Sequence, residues 1–437
     1  MPRVRSVVVA VAKHPATLWA AFILVHLWLG LVNLYSPSNG LGDVTDVYRH
    51  WTDQALIANY RVGIDTVWVY PILALPPMLA AAAFGTDQYA STWLSMVVIL
   101  NAVAFGFVTG WGRSRERVTV GWWWVGFLLL LGPIALARID AVTIAFALVG
   151  VTLLSTRPRA AAIVLAIATW TKVWPAALIG AAMIALRSRW QVLSGAIALS
   201  AAVIVIALAL GSGLNVFSFV TEQTGRGVQV ESPVAGIWMW QALARVPGAY
   251  VYYDQQILTF QVQGSGVDLA AAVMTPLLGL VGVVIVLLGI RAARAGASAG
   301  DLLPPLALAL VSALIGFNKV GSPQFIGWLA VPIVLGLATS AAGHGRSFRF
   351  PAIVGLAMAA LTQLIYPYLY RALLLLDPLL LGALTVRNIL EFVLLAWAVW
   401  AVVRSPLAMD DPDAENWLPS VWPFEHRPDP VDQPART

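Results

Sequence analysis

The feature that most constrains this chain is a series of eight apolar runs, each close to the length of a membrane-spanning helix. A helix rises about 1.5 Å per residue, so roughly 20 apolar residues cross the hydrocarbon layer of a bilayer. The runs cover 17–35, 90–111, 190–211, 268–290, 302–317, 325–341, 351–370 and 379–403. Charged residues make up 11% of the chain and apolar residues 60%, a composition too poor in charge to coat a soluble core of this size. The sequence therefore predicts an all-α, polytopic transmembrane helix bundle.

Two longer apolar stretches are each predicted to form two helices. Arginines flank residues 119–156 and residues 160–186 on both sides, and basic flanks are expected in the cytoplasm. An even number of crossings must then lie between each pair of flanks. The first stretch is expected to divide at 137–140, and the second into two short tilted helices that meet around 171–175.

The segment Trp68–Gly85, interrupted by prolines, is expected to be re-entrant or interfacial rather than spanning, because the next basic flank requires an odd number of crossings. The total is about 12 spans in a multi-pass protein of the cell membrane, with both termini inside. Residues 1–403 form the transmembrane domain, with outer loops at 36–66 and 212–266. The tail 404–437 is rich in Pro and Asp and is predicted to be a disordered cytoplasmic segment.

Several classes of function are disfavoured by composition. The chain has no cysteine, which excludes disulfides and thiolate chemistry. Its 5 histidines are scattered without metal-ligand spacing, so neither a metal nor any other cofactor is expected. The formal charge of +5 comes from basic clusters between apolar runs; these are topology signals, and no nucleic-acid partner is expected.

The remaining polar clusters share one predicted location. Every cluster that is neither a basic flank nor part of the tail falls on the outer side, and a cavity that opens to the exterior is implied. The clusters are Asp43 with Asp46, Arg138 with Asp140, Lys172, Arg226 with Glu231, Lys319 with Gln324, and Arg371.

Asp43 and Asp46 lie three residues apart in the first outer loop, so on a helix they share one face, with Tyr48 and Trp51 as interface anchors. A carboxylate at a membrane surface suits general-base chemistry on a sugar hydroxyl. The alternative is an Asp N-cap on an amphipathic helix.

Charged residues inside apolar stretches are costly and usually mark function. Arg138 and Asp140 could form a structural ion pair or part of a site. Lys172, with Trp170 and Trp174 beside it, suits a phosphate ligand; the alternative is a lysine that extends its amine to the membrane surface.

Two further outer segments carry candidate residues. Arg226 and Glu231 lie in the longest outer loop, where a surface ion pair on a turn is the alternative interpretation. Lys319 and Gln324 lie in a turn whose Gly, Ser and Pro are typical of any tight connection. Taken together, loop carboxylates and separate cations meet one chemical need: a base activates an acceptor hydroxyl while cations stabilise the phosphate leaving group of a lipid-linked sugar.

The order of short motifs along residues 15–403 resembles the GT-C glycosyltransferases, specifically the actinobacterial glycosyltransferase family 87 of polyprenol-phosphate-mannose-dependent mannosyltransferases. The motifs are Asp43 with Val47-Tyr48, Trp68-Val69-Tyr70-Pro71, Arg138-Ile139-Asp140-Ala141, Lys172-Val173-Trp174-Pro175, Arg226-Gly227 through Glu231-Ser232, and Ser322-Pro323-Gln324-Phe325 with Trp328. The resemblance implies a GT-C-like fold and an inverting, metal-independent transfer with a first-loop Asp as base. Such a base commonly lies four residues before the Tyr, whereas Asp43 lies five before Tyr48 and Asp46 two before it; we favour Asp43.

The resemblance implies transfer of a sugar, mannose in the better-known relatives, from a polyprenyl-phosphate donor to a glycolipid or cell-envelope glycan at the extracytoplasmic face. Asp43 would be the base, assisted by Asp46 or Asp140. The expected donor-phosphate ligands are Arg138, Lys172, Arg226, Lys319 and Arg371, and the expected sugar or acceptor contacts are Tyr48, Glu231 and Gln324. The alternatives are a transporter or flippase of lipid-linked glycans and a non-catalytic partner in envelope synthesis.

Overall fold

A computed structural model describes residues 14–112, 114, 116–222, 225–405 and 417–418. Most of these residues are helical, and the sheet found among them is one antiparallel hairpin. In chain order the helices and strands are α1 (Pro15–Tyr35), α2 (Arg49–Ile57), α3 (Leu75–Ala80), α4 (Tyr89–Thr109), α5 (Val118–Leu131), α6 (Ile139–Leu153), α7 (Pro158–Thr171), α8 (Ala176–Ala185), α9 (Arg189–Ala209), α10 (Ser218–Thr221), α11 (Gly236–Leu243), β1 (Tyr250–Asp254), β2 (Thr259–Gln263), α12 (Val267–Arg294), α13 (Ala299–Gly316), α14 (Ala330–Ala341), α15 (Arg349–Gln363), α16 (Tyr370–Leu374) and α17 (Pro378–Val403).

Nine helices of the described chain, counted with the 3-10 and π turns that extend them, are long and apolar enough to cross a membrane. They are α1, α4, α5, α9, α12, α13, α14, α15 and α17. This confirms the prediction of a helical multi-pass membrane protein. The three shorter apolar helices are α6, α7 and α8, and the predicted count of about 12 spans requires that they cross as well.

The two predicted divisions of the long apolar stretches are found. A break at Leu136–Arg138 separates the α5 region from α6, and Lys172–Pro175 separates α7 from α8. In a continuous helix the ring of Pro175 would clash with the carbonyl of Thr171. Helix α7 therefore ends at Thr171, Lys172 is extended, and α8 begins after Pro175. The prolines of 68–85 leave only the six-residue α3 and two short 3-10 turns close to it, and helices of this length cannot span a bilayer.

The core is formed by helices that neighbours cover on most sides. In the helices ending at Gly316 and Ala341, 78% and 83% of the apolar window is buried, against 17% for α12. Helix α6 is almost entirely buried and packs against α4 and α7. Helices α1, α9 and α12 therefore form the lipid-facing periphery, while α6, α13 and α14 form the centre.

The predicted outer loops carry their own structure at one end of the bundle. Loop 36–66 contains a π-helical segment, Asp43–Tyr48, which continues into α2. Loop 212–266 contains α10, α11 and the hairpin of β1 and β2, in which Tyr250 pairs with Gln263. We call this end, where α6 begins and α7 ends, the site end. The predicted tail 404–437 lies mostly outside the described residues.

Candidate functional site

Asp43 forms an ion pair with Arg138 at the site end. The Nε atom of Arg138 lies 2.9 Å from Oδ2 of Asp43. The two Nη atoms donate to the carbonyls of Gly40 and Ala137 and to the hydroxyl of Tyr366, each at 2.7 Å. The side chain of Arg138 is 6% exposed and that of Asp43 is 43% exposed. A buried cation thus orients a carboxylate that remains accessible.

Arg138 is held in its charged form. Burial alone would lower its pKa, but the charge of Asp43 and the hydroxyls of Tyr366 and Tyr48 outweigh burial and raise the pKa above its ordinary value. Arg138 is the extended residue immediately before the first turn of α6, so the start of that helix fixes its position. The cation beside Asp43 is therefore permanent.

Asp140 and Lys172 form a second, more deeply buried ion pair. The Nζ atom of Lys172 donates to both carboxylate oxygens of Asp140, at 2.8 and 2.7 Å. The indole N–H of Trp328 donates to Oδ1 of the same carboxylate at 2.6 Å. The side chain of Asp140 is 2% exposed and that of Lys172 is 15% exposed. The two buried charges satisfy each other in this structure.

Aromatic rings enclose the amine of Lys172. Its Nζ lies 5.0 Å from the ring centre of Phe325, 5.5 Å from that of Trp328 and 5.8 Å from that of Tyr70. Trp174 stacks on Trp328 at 5.4 Å with an angle of 7° between the ring planes. The rings add cation–π attraction for the amine, and the low polarity that they provide strengthens its pair with Asp140.

Tyr70 connects the two ion pairs. Burial raises the pKa of Tyr70. The charge of Lys172 opposes this rise, and the charges of Asp43 and Asp140 add to it. The ring of Tyr48 lies 6.4 Å from that of Tyr70, and the hydroxyl of Tyr48 accepts the backbone N–H of residue 139 at 3.3 Å. Both pairs therefore face the same aromatic surface, which we call the tyrosine wall: Tyr48, Trp51, Trp68 and Tyr70, joined by ring contacts at 5.3–6.4 Å.

Arg226 contributes a further cation next to this wall. Its charge interacts with Tyr70, and partial burial lowers its pKa. The Nε atom is buried and has no hydrogen-bond partner among the described residues. An unsatisfied guanidinium N–H is costly in the absence of a ligand, and it is suited to an anionic oxygen.

The loop that follows Arg226 packs on the turn that contains Lys319. The backbone N–H of Gln229 donates to the carbonyl of Lys319 at 3.0 Å. A β-carbon on Gly321 would overlap the backbone of Glu231 and Ser232, so glycine permits this close approach. Lys319 is 7% exposed, and burial lowers the pKa of its amine. Gln324, at the next turn, is also buried.

Glu231 pairs with Arg387 inside the bundle, not with Arg226. The Nη1 atom of Arg387 lies 2.5 Å from Oε2 of Glu231, and Nη2 donates to the carbonyl of Glu231 at 3.0 Å. Both side chains are buried, at 4% and 2% exposure. The alternative interpretation, a surface ion pair of Arg226 and Glu231 on a turn, is therefore wrong. Arg387 lies about 14 Å along α17 from Pro378, so this contact draws the loop toward the membrane interior.

Two predicted residues lie away from these contacts. Asp46 is exposed and accepts a hydrogen bond from Thr45 at 3.2 Å. Arg371, in the short helix α16, is exposed. Within the described chain, neither forms an ion pair with the other candidates.

Sequence reasoning assigned no role to several residues that complete the site. Tyr70 and Trp328 belong to the short motifs of the sequence, but an aromatic residue in a motif does not show which charge it contacts. Tyr366 and Arg387 lie inside apolar runs. An arginine within a predicted spanning helix usually marks function, so Arg387 could have been identified from the sequence. In the described part of the chain, no group of three or more His, Asp or Glu side chains could hold a metal ion.

Comparison with known proteins does not assign the chain to a family. No family model matches it, and no characterised protein or solved structure is significantly similar to it.

Proposed function

We propose that this protein is a membrane glycosyltransferase that transfers a sugar, mannose by its resemblance to family 87, from a polyprenyl-phosphate donor to a glycolipid or cell-envelope glycan. The reaction would take place at the outer face of the cell membrane, with inversion at the anomeric carbon and formation of an α-linkage. A GT-C-like bundle with about 12 spans would carry the site.

The observation that supports this proposal most directly is the state of Asp43. Its carboxylate is 43% exposed and is oriented by a buried Arg138, which is 6% exposed. A general base needs an accessible oxygen within reach of the proton that it removes. Asp140 has the same charge but is enclosed by Lys172 and Trp328, which makes it a poor base.

The proposed transfer reaction needs no cofactor. The acceptor hydroxyl gives its proton to Asp43 as its oxygen attacks the anomeric carbon of the donor sugar. The bond from that carbon to the phosphate oxygen breaks, and polyprenyl phosphate leaves with the electron pair. Arg226 is the preferred ligand for that phosphate, because its buried Nε has no partner within the described residues and a guanidinium matches phosphate oxygens.

The remaining candidates are assigned by what they contact. Asp140 and Lys172 support the tyrosine wall from beneath as a paired unit. Lys319 and Gln324 lie in the turn on which the Arg226 loop rests, where they could contact the sugar. Asp46 and Arg371 are exposed, and we propose no direct role for them in the transfer step.

Substitution of Asp43 tests the proposal. Purified Asp43→Asn protein, given synthetic polyprenyl-phosphate mannose and glycolipid acceptors, should form glycoside about 100 to 10,000 times more slowly than the wild type. Asp46→Asn is the matched control and should retain activity. An active Asp43→Asn together with an inactive Asp46→Asn would assign the base to Asp46, and two fully active variants would exclude a base in this loop.

A second candidate function, transport or flipping of a lipid-linked glycan, is favoured by one observation. Glu391 lies one helical turn after Arg387 in α17, is 1% exposed, and its Oε1 atom has no partner in the described chain. Carboxylates buried within spanning helices often belong to substrate or proton pathways. Product analysis separates the two functions: a transporter reconstituted in vesicles moves labelled lipid-linked sugar across the bilayer and forms no new glycoside.

A further inference from the structure

A cavity of about 810 Å³ lies at the end of the bundle opposite to the site end. It is lined where α7 begins, where α8 meets α9, and where α12 meets α13. Helix α6 is 15 residues long and separates this cavity from Asp140 by about 20 Å. The cavity is therefore independent of the candidate active site, and its volume suits a small ligand or a lipid headgroup.

The walls of the cavity carry positive charge. Arg187, Arg189 and Arg294 line it, and the described lining includes neither Asp nor Glu. All three arginines are exposed, and none forms an ion pair within the described chain. Helix termini of both polarities meet here, so the guanidinium groups determine the sign of the local potential. The cavity therefore attracts anions.

One side of the cavity continues into the lipid-facing surface. Ile290 lines the cavity near the end of α12, and Leu280, Val283 and Leu287 on the same helix are 60%, 55% and 59% exposed. Trp190 begins the lipid-facing side of α9 and is 70% exposed, which is typical of a tryptophan at a membrane interface. An amphiphile could thus place a charged group among the arginines and its chains along α12.

A segment near the end of the chain closes another side. Trp417 lines the cavity and is 2% exposed, and Leu418 is fully buried. The hydroxyl of Ser155 donates to the carbonyl of Leu418 at 2.8 Å. Beside them, the hydroxyl of Thr156 is buried and has no partner among the described residues. A buried donor without a partner, three arginines and a tryptophan wall together indicate a site for an oxyanion.

We propose that this cavity binds the phosphate headgroup of an anionic phospholipid, with Trp417 as one wall and the acyl chains along α12. Basic pockets between transmembrane helices on the cytoplasmic side are known to select such lipids. The arginines of this end place it in the cytoplasm by the positive-inside rule. The proposal does not depend on the reaction at the site end.

Native mass spectrometry of the full-length protein tests the assignment. The wild type should retain one phosphatidylglycerol in preference to phosphatidylcholine with the same acyl chains. The triple variant Arg187→Gln, Arg189→Gln, Arg294→Gln should bind phosphatidylglycerol on the order of a hundredfold more weakly. Each arginine near a membrane contributes a similar part of the binding free energy of an anionic lipid, and the loss of three such parts corresponds to this factor.

A matched variant controls for the loss of charge. Arg159→Gln, Arg291→Gln, Arg349→Gln removes three exposed arginines that do not line the cavity, and it should retain the lipid. Equal weakening in both triple variants, or equal retention of phosphatidylcholine by the wild type, would overturn the proposal. Displacement of the lipid by inorganic phosphate alone would show that the ligand is a soluble phosphate compound, and this would also overturn it.

Discussion

Asp43 and Asp140 each lie beside a cation, yet their surroundings give them different chemical properties. Asp43 is accessible, and its Oδ2 atom lies 2.9 Å from Nε of Arg138. Asp140 is 2% exposed and accepts three hydrogen bonds from Lys172 and Trp328. Accessibility, more than charge, separates a carboxylate that can accept a proton from one that supports the structure.

The pairing of Asp140 with Lys172 can be tested by a double-mutant cycle. Lys172→Met or Asp140→Leu should each lower the free energy of unfolding by about 3–5 kcal/mol, because each leaves a buried charge without its partner. The double variant should lose less than the sum, with a coupling of about 0.5–3 kcal/mol. Chemical denaturation in mixed micelles measures these differences.

The exposed pair of Arg49 and Asp53 provides the control for that cycle. Its side chains are 40% and 34% exposed and its N–O distance is 3.8 Å, so Arg49→Gln should change the free energy of unfolding far less than Lys172→Met. Strictly additive effects of the two core substitutions would show that Asp140 and Lys172 do not interact.

At the scale of single residues, the sequence identified charges but not their partners. Arg138, Asp140 and Lys172 stood out because charge within an apolar stretch is costly. Asp140 and Lys172 are 32 positions apart, and Glu231 and Arg387 are 156 apart. Sequence separation carries no information about such contacts, so the pairing of Glu231 with Arg387 was not predicted.

At the scale of elements, charge flanks and prolines predicted the helices well. The divisions before α6 and between α7 and α8 followed from the requirement that both flanks of each stretch lie on one side. The hairpin of β1 and β2 was not predicted, because β1 shows no alternation and the alternation of β2 covers only five residues. It now supports the Arg226 loop, since Val230 donates its N–H to the carbonyl of Phe260 at 3.1 Å.

Gly321 is the element contact that is most sensitive to substitution. Gly321→Ala should separate the Lys319 turn from the Arg226 loop, because the added methyl group would overlap the backbone of Glu231 and Ser232. We expect a lower melting temperature and a lower transfer rate. Thermal unfolding and the glycoside assay measure the two effects.

Gly279→Ala is the matched control, since a β-carbon there meets no atom within 4 Å on the lipid-facing side of α12. It should leave both properties unchanged or raise the melting temperature slightly, because alanine favours helix. Equal behaviour of the two variants would mean that the two loops do not pack as described.

For the whole molecule, the prediction that remains to be tested is the orientation in the membrane. The chain has no cysteine, so one introduced thiol reports its side of the membrane without background. Gln255→Cys, exposed at the tip of the hairpin, should react with a membrane-impermeant maleimide added to intact cells. Ser347→Cys, exposed between α14 and α15, should react only after the cells are opened.

Labelling of both thiols from the same side would show that the number of spans between them is even. Labelling of Ser347→Cys in intact cells and of Gln255→Cys only in opened cells would invert the topology. Labelling of Gln255→Cys only in opened cells would remove the extracytoplasmic location of the proposed reaction, whereas the helical bundle itself would stand.

The shortness of α7 and α8 has a consequence for the surrounding bilayer. With 14 and 10 residues these helices reach about 21 and 15 Å, well short of a hydrocarbon layer of about 30 Å. Lipids adapt to short helices by local thinning, and exposed Val173 marks the point where the helices meet. Local thinning of the membrane beside Lys172 would bring lipid headgroups to the depth of the tyrosine wall. A long-chain substrate could then enter from the side without leaving the lipid phase.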